Sequence, residues 1–197
     1  MHRMGFTGLL MLGVVALASA QFQKGTAELS LSGSLGSYTA KSSSSNFNTS
    51  ESRNFFFLAV SPGYFVLDGL SVEPEIGMLA IEESEPAWLF LGNLSYTYAI
   101  AGSTIAPFIR AGYGVSNAMT ASFAPNLLAR VSDKLDVGVL TLGGGLKVRI
   151  SDGAYLRTEL NYRKLSWSTE YRGYSYSSTT DHTYSSFGLL VGLSVLL

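Results

Sequence analysis

Nine ionisable side chains fall on alternate positions of segments that are otherwise apolar: the acids Glu28, Glu73, Glu75 and Glu159, and the bases Arg110, Lys147, Arg149, Arg157 and Arg163. Lined up inside a narrow interior, such a set could pass ions or protons along a path. It could equally pair off as a structural polar filling, because a charge held away from water without a partner is costly. The filling is the simpler reading. A paired-carboxylate acid–base catalyst built on Glu73 and Glu75 competes poorly with it, since the bases beside them make both acids ion-pair partners.

Other chemistry has less to draw on. His2 lies in the first twenty residues, so His182 is the histidine left beyond them, with Asp181 and Ser185 close by in the sequence. Nearness in sequence is not the geometry of a nucleophilic triad. One histidine and no cysteine supply no metal-ligand set, and nothing implies a cofactor. Gly143, Gly144 and Gly145 sit inside a strand pattern, where glycines permit curvature, rather than in a phosphate-binding loop. Tyr171, Tyr174 and Tyr176 stand in a serine- and threonine-rich stretch and could contact a host protein, a glycan or lipopolysaccharide. A plain solvated loop is the simpler reading of the same residues.

These residues need elements to position them, and the clearest is the C-terminal stretch Tyr184 to Leu197. Phe187, Leu189, Val191, Leu193, Val195 and Leu197 form an unbroken apolar row, while Ser186, Gly188, Leu190, Gly192, Ser194 and Leu196 fall on the other parity. A period of two is the signature of a strand with two different environments. A strand so placed, needing a neighbour on both sides, suits a sheet closed into a barrel.

At the other end, Arg3, the apolar run Gly5 to Leu17 and the small residues Ala18, Ser19 and Ala20 read as a signal peptide over residues 1–20. The run is shorter than the roughly 20 residues a spanning helix needs. Removing 20 residues from 197 leaves 177, one domain's worth, expected over 21–197. Taking Arg3 from 13 Lys and Arg leaves 12 bases against 14 acids, a formal charge of −2 with no basic field for nucleic acid. No remaining apolar run reaches spanning-helix length, and only helices and closed barrels cross a bilayer.

The chain in order gives strands over Gly25–Lys41, Asn54–Gly63, Leu70–Ile81, Ala87–Ile100, Thr104 to about Ala121, Leu135–Ile150, Ala154–Trp167 and Tyr184–Leu197. Pro74 within the third implies a local bulge or a lost ladder bond. Between the strands, Ser42–Arg53, Glu82–Pro86, Ser122–Lys134 and Ser168–Thr183 read as loops, the LLARV core of the third equally as a short helical turn, and Tyr64–Gly69, Ala101–Ser103 and Ser151–Gly153 as turns. Longer and shorter connections alternate, as in an eight-stranded antiparallel up-and-down transmembrane β-barrel with short periplasmic turns. A barrel that small encloses little more room than its own side chains fill.

The stretches VSPGYFVLDGLSVEPEIG (from Val60), IAPFIRAGYG (from Ile105) and GGGLKVRISDGAYLRTELNY (from Gly143), with the ending Gly192 to Leu197, carry a resemblance. Over the whole mature chain it resembles the bacterial outer-membrane protein β-barrel family, the small eight-stranded porin-like and adhesin-like barrels. The resemblance implies a protein of the cell outer membrane that inserts into its lipid, with Gly192 to Leu197 engaging the barrel-assembly machinery. Members usually end in an aromatic residue, whereas this chain ends in Leu197. Barrel enzymes that deacylate lipid A carry a His-x-Ser motif, which His182, Thr183 and Tyr184 do not match. The sequence therefore supports a non-catalytic outer-membrane barrel with a polar-plugged lumen and a structural or surface-interaction role, through loops that could take a surface ligand. A small channel or transporter for small or apolar solutes is the rival, and a soluble exported ligand-binding barrel a second one.

Overall fold

Along Ala87–Thr97 burial changes at every residue: Trp88, Phe90, Leu94 and Tyr96 are exposed, whereas Leu89, Leu91, Asn93, Ser95 and Thr97 are buried. Successive side chains of a strand point to opposite faces, so this one segment sets an inside and an outside. The computed structural model describes residues 22–44, 47–81, 86–117, 137–172 and 177–197, and the same division recurs around the wall. The expected leader, residues 1–20, and the expected loop Ser122–Lys134 lie outside the described residues.

Eight strands run in order: β1 (Ala27–Ser44), β2 (Phe47–Leu67), β3 (Leu70–Ile81), β4 (Ala87–Thr97), β5 (Ile105–Ser116), β6 (Val137–Ser151), β7 (Ala154–Arg172) and β8 (Ser177–Leu196). Each pairs antiparallel with the next, and β8 closes on β1 from Glu28↔Leu196 to Gly33↔Val191. The terminal strand does have a neighbour on both sides. No helix among the described residues is long and apolar enough to cross a membrane.

The outward row is the expected apolar one. Leu29, Leu31, Val72, Ile76, Ile109, Leu140, Leu142, Leu160, Leu189 and Leu193 are all exposed, Leu160 to 69%. So many large apolar side chains on one continuous surface would be untenable in water and match a hydrocarbon belt.

β4 ends at Thr97 and β5 at Ser116, short of the expected Ile100 and Ala121, and three further boundaries differ from the sequence expectation. The polar stretch Ser42–Arg53 is not simply a loop, because β1 and β2 stay paired as far as Ser44↔Phe47. Likewise β7 and β8 stay paired to Arg172↔Ser177 across the expected Ser168–Thr183 loop. Serine, threonine and tyrosine carry no apolar period to signal a strand, yet backbone pairing needs none once the hairpin has begun. The expected turn Tyr64–Gly69 shortens to Asp68 and Gly69, with Gly69 at φ 76° where L-residues are strained, while Tyr64 to Leu67 remain in β2. Consequently β7, β8, β1 and β2, with 19, 20, 18 and 21 residues, stand tall side by side, whereas β3, β4 and β5 have 12, 11 and 12.

Candidate functional site: the charged layer of the lumen

The inward row is polar at mid-height because β1, β3, β5, β6 and β7 each bring charges there. Glu73 and Glu75 stand two apart on β3, Arg157 and Glu159 two apart on β7, and the period of two aims all four inward. Arg110 Nη1 meets Glu75 Oε2 at 2.7 Å, and Arg163 Nη2 reaches the other oxygen of Glu75 at 3.4 Å. Arg157 spans Glu73, at 3.3 Å from Nη1, and Glu159, at 3.0 Å from Nη2. Arg110 Nε lies 3.3 Å from Glu159 Oε1, although Nε makes no hydrogen bond there. Towards the short turns, Lys147 Nζ meets Glu28 Oε2 at 2.7 Å. Ser30 links the two groups, donating to Glu28 and accepting from Arg157 at 3.4 Å each.

Neutral side chains complete the layer. Ser71 donates to Glu73 at 2.9 Å, and Asn161 donates to Glu159 at 2.8 Å and to Thr141 at 2.9 Å. Gly143 makes room for this cluster, since a Cβ there would run into the Glu159 carboxylate and come within 3.1 Å of the Asn161 amide. Gly143 thus serves close packing in the lumen.

Eight of the nine charges expected in the lumen network are brought together, and Arg149 is not. It sits half-buried where the β6–β7 register shifts before Ser151, and enters no ion pair among the described residues. It keeps the parity of Lys147, since Arg149↔Tyr155 continues the register of Lys147↔Arg157, but it stands near the turn, where no acid of the layer meets it. Four acids then face four bases, Lys147, Arg110, Arg157 and Arg163.

Sequence reasoning missed what lies on either side of the layer. Towards the long connections the lumen is filled by Phe57, Leu89, Leu91, Val139, Leu165 and Leu190, with Leu79 and Trp167 against them. Towards the short turns Phe22, Phe65, Ala106 and Tyr155 form a floor. Phe22 is fixed there by its carbonyl, which accepts from Gly69 N–H at 2.8 Å. Aromatic rings also cover the cations: Arg163 lies 4.1 Å from the Phe57 ring centroid, Arg157 4.4 Å from that of Phe108, and Lys147 Nζ 5.2 Å from that of Phe22. The signal was available, because each of these strand residues shares parity with a charged or small neighbour, as Phe108 does with Arg110 and Tyr155 with Arg157.

The other candidates gain no support. Asp181 accepts from Ser168 at 2.6 Å, and Ser185 accepts from Tyr162 Oη at 2.9 Å. Four residues apart on an extended strand, Asp181 and Ser185 are separated by about 13 Å, too far for one triad. No group of three or more His, Asp or Glu among the described residues could hold a metal ion. Tyr171 lies in β7, its backbone opposite Ser178, rather than in a loop, and Tyr174 and Tyr176 fall outside the described residues.

A closed, apolar-skinned, eight-stranded barrel with an ion-paired interior defines a class, the small transmembrane β-barrel. The profile of the family described as "Outer membrane protein beta-barrel domain" matches residues 7–195, and the chain belongs to that family. No curated protein matches it in sequence. Among solved structures, Neisserial surface protein A is similar at 15% identity and TM-score 0.52, covering 87% of this chain and 97% of that one. The N-terminal β-barrel domain of Pseudomonas aeruginosa OprF is similar at 13% identity and TM-score 0.50, covering 88% and 98%. The protein is therefore a barrel of the outer membrane. Its outward apolar belt lies in lipid, which sets aside the soluble ligand-binding barrel.

Proposed function

We propose that this barrel neither conducts nor catalyses, and that its role is structural and surface-interacting, exercised outside the membrane. The observation that carries the reading is the stacking of the lumen: a charged layer closed by its own ion pairs, between an external apolar layer and an aromatic floor. An ion entering such a lumen would give up its hydration at an apolar constriction and then compete with salt bridges already made.

Members of this class turn short connections to the periplasm and long ones outward. The tall hairpins β1–β2 and β7–β8 then form the externally presented wall, and a surface ligand would meet that wall first. The outward row of the last six residues, Gly192 to Leu197, supports docking on the assembly machinery during insertion. The deciding experiment is planar-bilayer recording of the purified protein, combined with binding to whole cells, matrix proteins and lipopolysaccharide. Absence of conductance together with surface binding supports the reading, and reproducible single-channel steps replace it with a channel. One observation favours that second reading: Arg110 Nε and Nη2 and Arg163 Nε have no hydrogen-bond acceptor among the described residues, so the layer retains donors for a small anion.

A further inference from the structure

The β2–β3 ladder is interrupted at the height of the charged layer. Pairing runs from Phe55↔Ile81 to Val60↔Ile76, stops, and resumes in the same register at Tyr64↔Val72. Counting two residues in from either side sets Pro62 opposite Pro74. In an antiparallel ladder alternate pairs exchange both of their N–H···O bonds. Three successive pairings vanish while both flanks persist, which is the pattern left when two prolines share a bonded position, since neither has an N–H to give.

The neighbours do not compensate. The N–H and C=O of one residue point to the same side of a strand, so Ser61 and Gly63 direct theirs at β1, where they pair with Ser30 and Glu28. Glu73 and Glu75 direct theirs at β4, where they pair with Asn93 and Leu91. The Pro62 and Pro74 carbonyls therefore face one another with no ladder donor, although a spanning wall must satisfy its backbone internally. Pro107 shows the harmless alternative, because its carbonyl accepts from Tyr98 N–H at 2.8 Å. Beyond the gap the hairpin keeps Tyr64↔Val72 and Phe65↔Ser71 before a register shift near the turn.

From this we infer that the β2–β3 seam is the line along which the barrel wall opens locally, a built-in weak point placed directly over Glu73 and Glu75. Those carboxylates lie immediately behind it: Ser61 donates to Glu75 at 3.4 Å, and a Cβ on Gly63 would come within 3.2 Å of Glu73 Cγ. With both ends of the lumen filled by apolar side chains, a transient sideways opening is the route by which the charged layer rearranges. The inference does not depend on whether the lumen conducts.

The test is amide hydrogen exchange by NMR on the full mature protein in detergent micelles. The bonds flanking the gap belong to the amides of Val60, Tyr64, Val72 and Ile76. By alternation, the matching bonds of the β4–β5 seam belong to Phe90, Leu94, Ala111 and Val115, which pair as Phe90↔Val115 and Leu94↔Ala111. The first four should exchange about tenfold faster or more than the second four, since local opening sets the rate. The double substitution Pro62→Val with Pro74→Val restores two donors and should bring the first set to within about threefold of the second. Equal protection of the two seams in the natural protein overturns the inference. Fast exchange left unchanged by a folded double variant overturns it too. Should the double variant not fold, the comparison within the natural protein decides alone.

Discussion

The Arg110 guanidinium and the Glu75 carboxylate stand 2.7 Å apart on β5 and β3, two strands that do not pair with each other. Their bond therefore bridges the lumen across β4 rather than following the ladder. Both side chains are buried; without Arg110 the layer holds four acids against three bases, and Glu75 keeps only Arg163 at 3.4 Å.

Arg110→Ala should accordingly cost about 3 to 5 kcal/mol, the usual penalty for breaking a buried pair from one side. Arg149→Ala, outside the network, should stay within about 0.5 kcal/mol. Urea unfolding midpoints in micelles measure both, and an equal loss in the two variants would return Arg149 to the layer.

Replacing outward residues should impair insertion. Leu142→Arg or Leu189→Arg sets a guanidinium against the lipid, at about 2 to 4 kcal/mol near the bilayer midplane. Yield of heat-modifiable protein in the membrane fraction is the readout, with Leu142→Val as a near-neutral companion. Unchanged yield for both arginine variants would reverse the assigned faces.

The division into faces was readable because period two is unaffected by what the barrel does. Leu29, Ile109, Leu142 and Leu189 were placed outward, and Glu28, Arg110 and Lys147 inward, from alternation alone. The lost ladder bond at Pro74 was also foreseeable, although its partner Pro62 emerged only with the register. The apolar layers were not seen, since Phe57, Leu89 and Tyr155 look lipid-facing until their parity is traced to the charges. The tall hairpins were hidden for the opposite reason: their polar residues have no face to bury, and only the backbone ladder reveals them. Arg149 shows the limit of the rule, because parity gives the face a residue is on and not its height along the barrel.

Phe22 belongs to a segment outside the strands yet fills the floor, 1% exposed and 5.3 Å from the ring of Tyr155. Phe22→Ala should destabilise the barrel by about 3 to 5 kcal/mol. Conductance should stay absent, because the charged layer and the external apolar layer remain. Conductance appearing in this variant would make the floor the sole seal.

The β7–β8 hairpin can be shortened in register by joining Trp167 to its partner His182 through Asn-Gly. The shortened barrel should fold and shift on gels like the parent, while binding to whole cells or lipopolysaccharide falls. Retained binding would move the contact surface to β1–β2, and failure to fold would make the tall wall part of the scaffold.

The equality of four acids and four bases in the lumen reaches beyond their individual bonds. Their charges cancel as a set, so the potential they cast dies away faster than that of any single ion, over distances comparable to the cluster itself. Summed charge gathers counter-ions at a mouth and steers them inward. The layer itself has none to offer, so any steering at the short-turn end is left to exposed charges such as Lys24, Asp68 and Asp152.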